Sequence, residues 1–235
     1  MIRAERRGPL ALLTIDRPER RNALDLEHCR DLTDAVLGAA DARVIVLTGA
    51  GGHFCAGADL GGVEGVEFVA ALRQLLVSIC DVPVPVIAAV HGAALGAGAQ
   101  LAIAADLRVA TPAARFGIPA AKLGLMIDRW SVRRLTALAG EGTARAMLLA
   151  AEVVGGEDAR RTGFVQRLGD LDDAVAWGNE IVALAPLPIA GHKLALNDAP
   201  GNEFDTAFSR AWSSEDLAEG MVAFRERRPP EFRGR

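Results

Sequence analysis

An excess of positive charge is the first thing missing: 26 Lys and Arg stand against 30 Asp and Glu, a net charge of −4 with a pI near 5.6. Binding a phosphate backbone needs a concentrated positive field, so this balance argues against a nucleic-acid partner. Cysteine is scarce as well. Cys29, Cys55 and Cys80 are odd in number, widely spaced and set in apolar surroundings, which suits reduced thiols in a cytoplasm and gives neither a disulfide framework nor a metal-ligand spacing. No GK[ST] run occurs, which removes a P-loop. Gly49-Ala50-Gly51-Gly52 begins like a dinucleotide fingerprint, but Phe54 takes the place of the third glycine and no helix follows at once, so a Rossmann site is not expected. No Ser-His-Asp or Cys-His arrangement stands out. The early arginines of MIRAERRGPLALLTIDRPER precede an apolar run that ends at Asp16 with no small-residue cleavage site, unlike a signal peptide.

Charge is also absent from Val82 to Ala105, and a stretch of that kind must be buried in protein or in lipid. Its length would allow a membrane span. Its residues are mostly Ala and Gly, however, Pro83 and Pro85 open it, and His91 and Gln100 interrupt it, so no span is expected. The pattern predicts a buried strand at Val84–Val90, a turn at His91–Gly92, and a buried helix over Leu95–Ala104 that ends before Asp106. The helix entrance, Leu95-Gly96-Ala97-Gly98-Ala99-Gln100, has two readings. Its glycines permit close helix–strand packing, or they let unpaired amides at the positive end of the helix dipole face an anion or a developing oxyanion.

The rest of the chain alternates short strands and helices without internal repeats. Leu10–Ile15 reads as a strand closed by Asp16-Arg17-Pro18, and Asp25 as the N-cap of a helix bearing Leu26, Cys29, Leu32, Val36 and Ala39. Arg43–Thr48 is a strand too apolar for a sheet edge, and Val66, Val69, Leu72, Leu76 and Ile79 mark a helix face. Asp106–Ala110 reads as a strand and Phe116-Gly117-Ile118-Pro119 as a turn. Helices are expected at Ser131–Ala139, Gly142–Ala150, Glu157–Thr162 and Leu171–Ala185, with a bend at Pro186 and Pro188. The last helix opens at Ser213 or Ser214 and carries Leu217, Met221 and Phe224 on one face. The class is α/β, and 235 residues, 51% of them hydrophobic, suffice for one main domain with a substantial core.

Phe54-Cys55-Ala56-Gly57-Ala58-Asp59-Leu60, taken with HGAALGAGAQLAIAAD at 91–106, resembles the crotonase family, the enoyl-CoA hydratases and isomerases. The resemblance runs from Pro18-Glu19-Arg20-Arg21-Asn22-Ala23-Leu24 to Arg227-Arg228-Pro229-Pro230-Glu231-Phe232. It implies a spiral of strand-strand-helix units over residues 1–185 that holds acyl-CoA, followed by a helical oligomerisation region over 186–235. It implies trimers or hexamers, a cytoplasmic place in fatty-acid metabolism with a possible protein partner, and a CoA thioester as ligand or substrate with no further cofactor. Arg21, Ala23, Leu24, Ala56, Asp59, Leu60 and Phe224 match positions along the bound CoA. The amides of Ala58 and Ala97 match the oxyanion hole that polarises the thioester carbonyl, although the family more often has glycine at the second position.

Hydration of a 2-enoyl thioester also requires that water lose a proton and that C2 gain one, work the family gives to two glutamates. By motif those glutamates fall at Gln100 and Ala120. An amide does not shuttle protons at neutral pH and a methyl cannot. Asp128, in Gly124-Leu125-Met126-Ile127-Asp128-Arg129-Trp130, lies near the position where some isomerases of the family place a single carboxylate; its other reading is a cap for the helix near Ser131, or a partner for Arg129, Arg133 or Arg134. Trp130 is expected to fill space that glutamates use elsewhere. His91, amid apolar residues, reads as a hydrogen-bonded core histidine. Two function classes follow: an acyl-CoA binding protein that does not hydrate, and an isomerase or related enolate enzyme that uses Asp128. A hydratase with displaced acids comes third.

Overall fold

The computed structural model describes residues 1–59, 61, 66–198 and 201–235. Its strands are β1 (Ile2–Arg7), β2 (Leu10–Ile15), β3 (Val44–Gly49), β4 (Val86–Val90), β5 (Ala93–Leu95), β6 (Leu107–Ala110), β7 (Arg115–Gly117), β8 (Val153–Gly155) and β9 (Arg167–Leu168). Its α-helices are α1 (Leu26–Gly38), α2 (Val66–Asp81), α3 (Ala97–Ala104), α4 (Arg129–Ala139), α5 (Glu141–Leu149), α6 (Gly156–Arg161), α7 (Leu171–Val182), α8 (Pro186–Leu196), α9 (Glu203–Trp212) and α10 (Glu215–Glu226).

The apolar runs of β2, β3 and β4 are continuous because both faces of their sheet are covered. Along each strand alternate side chains point opposite ways. Leu10, Leu12, Val44, Val46, Ile87, Ala89 and Val109 therefore meet Ala174 and Ile181 of α7. Ala11, Leu13, Ile15, Ile45, Leu47, Val86, Ala88 and Val90 face the larger core with Leu32 and Val36 of α1, Leu72 and Leu76 of α2, and Leu101 of α3. The strand order is β1-β2-β3-β4-β6-β9, with β1 antiparallel to β2 and every other pairing parallel. β5, β7 and β8 form a second, smaller sheet.

All eight residues of α3 are buried. It is terminated by a cation of its own core: the fully buried Arg108 donates to the carbonyls of Ala102 and Ala105, each at 2.9 Å, and to those of Asp106 and Phe164. Those bonds satisfy carbonyls that the helix end leaves unpaired. The C-terminal helices bend away after α7, with 113° between α7 and α8, as the two prolines predict. α8 is tied back by Lys193, 6% exposed, whose Nζ donates to Ile79 O and Val84 O at 2.9 Å and to Asp106 Oδ2 at 2.7 Å. Asn197 adds a bond to Cys80 O at 2.9 Å. Both residues reach carbonyls at or just after the end of α2.

Several expectations need correction. The buried face of α2 is Phe68, Leu72, Leu75, Leu76 and Ile79, while Val66 and Val69 are 84% and 63% exposed, because the helix is rotated from the phase those valines suggest. The buried helix begins at Ala97, since Ala93–Leu95 extends as β5. Arg115–Gly117 is a strand and Pro119–Leu123 a 3-10 helix where a turn was expected. β1, α9 and the short β8 and β9 were not expected. Leu217 and Met221 line an apolar groove of about 430 Å³ with residues of α8 and α9, and Phe224 is 81% exposed. Among the described residues no single helix is long and apolar enough to cross a membrane.

Candidate functional site

The site begins with a turn that the chain bolts to its neighbour. Asn22, fully buried with φ +58°, accepts from Arg17 N at 3.0 Å and donates to Ala50 O at 2.8 Å and His53 O at 2.6 Å. Asn tolerates this left-handed backbone better than bulkier residues. Arg17 holds the outer side, pairing with Asp25 at 3.2 Å and Asp59 at 2.9 Å. Leu24 is then drawn against Ala58: Leu24 N donates to Gly57 O at 2.8 Å, and Asp59 N to Leu24 O at 2.7 Å. Ala56 N donates to Arg21 O at 3.0 Å. The structure thus brings together Arg21, Ala23, Leu24, Ala56 and Asp59. The Asp59 carboxylate is engaged by Arg17 and is not a free anion. Leu60 lies outside the described residues. Phe224, on α10, is 81% exposed and lies apart from them in sequence.

A parallel register brings the two amide motifs side by side. Cys55 N donates to Ala93 O at 2.9 Å and Leu95 N to Cys55 O at 3.0 Å, which pairs Cys55 with Ala94. Three residues further along both segments, Ala58 comes up beside Ala97. Two glycines permit this approach. A Cβ on Gly98 would lie 2.1 Å from Cys55 O, and one on Gly57, whose φ is +111°, would lie 2.8 Å from Leu95 O and 3.7 Å from Ala97 N. Ala97 is the first residue of α3, behind Gly96 as N-cap, so its N–H has no partner within the helix and lies at the positive end of the dipole. Because Gly57 O and Asp59 N both face Leu24, the intervening Ala58 N–H turns away from Leu24. The close-packing reading of the glycine pattern is thus realised, with Gly57 and Gly98 at the points of approach.

The two proton-transfer positions differ. Ala120 sits half-buried in the 3-10 helix and packs against the large core. Gln100, 6% exposed, donates through Nε2 to Ser131 Oγ at 2.8 Å and, at 3.4 Å, to Asp128 Oδ2. Asp128 is the N-cap of α4: its carboxylate accepts from Ser131 N at 3.1 Å and from Ser131 Oγ at 2.7 Å. Its ion-pair partner is Arg73, at 3.6 Å, instead of the arginines near it in sequence. The capping reading of Asp128 is thus realised, and so is its nearness to position 100. Arg73 and Arg134 cover the Trp130 ring, their guanidinium carbons 5.1 and 5.6 Å from its centroid. Ser131 was missed as a site residue; the Asp-x-x-Ser cap spacing was the available signal.

Burial pushes the thiols of Cys29 and Cys55 up to about 12 and that of Cys80 up to about 11, which leaves Cys55, next to the amide pair, a poor nucleophile. His91 Nε2 contacts Gly51 O at 2.9 Å, the hydrogen bond expected of it, but the ring is only half-buried and is not part of the core. Among the described residues no His, Cys, Asp and Glu group could hold a metal ion.

Comparison with known proteins identifies the family. The enoyl-CoA hydratase/isomerase family profile matches residues 5–235. A protein of Mycobacterium tuberculosis named a probable enoyl-CoA hydratase is 48% identical over 234 residues, covering 95% of this chain and 96% of that protein. One of Rhodobacter capsulatus with the same description is 39% identical over 252 residues, covering 100% and 98%. The crystal structure of an enoyl-CoA hydratase from Bacillus anthracis superposes with a TM-score of 0.91 at 26% identity, covering 100% of this chain and 99% of that one. The chain belongs to the enoyl-CoA hydratase/isomerase family.

Proposed function

We propose that this protein binds acyl-CoA thioesters, with the amides of Ala58 and Ala97 on the thioester oxygen, and that it does not hydrate them. The observation that carries this reading is the register of Cys55 on Ala94, which sets the Ala58 and Ala97 segments side by side while the neighbouring proton-transfer positions hold an amide and a methyl. Each oxyanion donor in a dry site is worth about 3–4 kcal/mol to a transition state, but without groups to deprotonate water that stabilisation has no reaction to serve. The turn of Arg21, Ala23 and Leu24 lies along the CoA, and the protein works as a carrier, sensor or partner in cytoplasmic fatty-acid metabolism. Copies of the chain assemble as a trimer or hexamer through the C-terminal helices, where Phe208, Trp212 and Phe224 are 53%, 65% and 81% exposed. A second reading, isomerisation through Asp128, draws on its 3.4 Å approach to Gln100 Nε2. Its engagement by Ser131 and Arg73 favours the first. Acyl-CoAs should raise the melting temperature, since a ligand that binds only the native state stabilises it, while crotonyl-CoA and 3-enoyl-CoA remain unchanged. Isomerisation that disappears in Asp128→Asn would select the second reading.

A further inference from the structure

A parallel ladder repeats every two residues, and the one that joins residues 53–55 to residues 91–95 is out of step by one. Leu95 N donates to Cys55 O at 3.0 Å and Cys55 N to Ala93 O at 2.9 Å. The next rungs of an even ladder would be Ala93 N on His53 O and His53 N on His91 O. Instead Phe54 N, one residue later, takes His91 O at 2.8 Å, and His53 O accepts from Asn22 Nδ2 at 2.6 Å. Acceptors two residues apart are thus met by donors one residue apart, and Gly92 is the surplus. Its φ of +54° absorbs the extra residue, and a Cβ there would lie 2.1 Å from Gly52 O and 2.7 Å from His53 Nδ1.

The slip takes away the backbone rung of Ala93 N. The His53 ring, lying against Gly92, supplies the acceptor instead: Ala93 N donates to Nδ1 at 3.2 Å. A ring nitrogen that accepts carries no hydrogen, so His53 is the neutral tautomer with its proton on Nε2. His91 plays the opposite part. A carbonyl only accepts, so His91 Nε2 donates to Gly51 O, 2.9 Å away. On the other flank of the same turn Gly92 O takes Arg115 N at 2.8 Å.

We infer that His53 is a positioning residue whose bare Nδ1 stands in for a ladder carbonyl and fixes the one-residue offset between the two segments. The pairing of Cys55 with Ala94 inherits that offset, and so does the placing of Ala58 beside Ala97. Were the offset lost, Ala58 would lie beside a neighbour of Ala97 instead. The effect of His53 on ligands rests on the thioester reading proposed above: a thioester oxygen needs both amides and free CoA needs neither, so His53 protects the preference for the thioester.

Two variants of similar shape separate the acceptor from the bulk of the ring. His53→Asn puts a carbonyl oxygen where Nδ1 lies, and His53→Leu puts a methyl there. Calorimetric titration of the full chain with decanoyl-CoA and with free CoA gives the ratio of their dissociation constants. The wild-type preference for the thioester should persist in His53→Asn and fall about three- to tenfold in His53→Leu, the worth of one neutral hydrogen bond. Nitrogen-15 NMR of the wild type gives a readout that packing does not move. An N–H···N bond transmits a scalar coupling between its two nitrogens, so Ala93 N and His53 Nδ1 should be coupled and the ring proton should sit on Nε2. That measurement decides the matter even if His53→Leu does not fold. A wild-type ring with its proton on Nδ1, an uncoupled pair, an unchanged ratio in His53→Leu, or a His53→Asn variant that behaves like His53→Leu would overturn the inference. Failure of decanoyl-CoA to bind the wild type more tightly than free CoA, with the coupling present, would instead overturn the thioester reading beneath it.

Discussion

Replacing Gln100 with glutamate tests the electrostatics of the site most sharply. The substitution puts a carboxylate oxygen where Nε2 now lies, 3.4 Å from Asp128 Oδ2. Two like charges at that separation repel by about 5 kcal/mol at an effective dielectric of 20 and about 1 kcal/mol in bulk water. The Asp128 side chain is 39% exposed and has Arg73 nearby, so the result falls between these limits. At 1.36 kcal/mol per unit, the introduced carboxyl should titrate roughly 1 to 3.5 units above the ordinary glutamate value. Carbon-13 NMR of a labelled Gln100→Glu side chain measures this directly. Adding Asp128→Asn removes the opposing charge while keeping an N-cap for α4, and the midpoint should return toward the ordinary value. An ordinary midpoint in the single variant, or the same midpoint with and without Asp128, would refute the reasoning.

Further consequences follow for function and stability. Gln100→Glu with Ala120→Glu should restore crotonyl-CoA hydration only in part, because carboxylates need a supporting shell to within about half an ångström; full family-like turnover, followed by enoyl absorbance, would show that position 100 already has that shell. Ala97→Pro removes one donor at a helix position that tolerates proline, and calorimetry should show thioesters losing more affinity than free CoA; equal losses would place Ala97 away from the acyl group. Gly98→Ala meets Cys55 O at 2.1 Å, and backbone strain of about 2–3 kcal/mol should appear as a lower denaturation midpoint together with lost thioester binding. Lys193→Met leaves Asp106 without its cation, and urea titration should show a loss of about 3 kcal/mol. Thiol reagents at pH 8 should leave Cys29, Cys55 and Cys80 unmodified until the protein unfolds, because burial holds them near 11 to 12.

Strands buried on both faces were easy to see in the sequence, because β2, β3 and β4 are unbroken apolar runs bounded by turn residues. The caps at Asp25 and Asp128 were legible from side chains that accept helix N–H groups. β1 was not, since Arg3, Glu5, Arg6 and Arg7 hide an edge strand whose partner in the sheet is β2. The three-residue strands β5, β7 and β8 have no pattern of their own and exist because their neighbours complete the small sheet. In the site, the glycines announced a close approach, but only the Cys55–Ala94 register shows which two segments lie side by side. The link from Asp128 through Ser131 to Gln100 joins residues 28 apart in sequence. No local spacing encodes such a contact. Arg73 as the partner of Asp128 was hidden for the same reason.

Ultrafiltration of the protein, in molar excess over crotonyl-CoA, followed by chemical analysis of the retained ligand, tests binding without hydration in a single measurement. The account predicts that crotonyl-CoA is retained with the protein and recovered unchanged. Recovery of 3-hydroxybutyryl-CoA, or passage of the ligand through the membrane unbound, would contradict it.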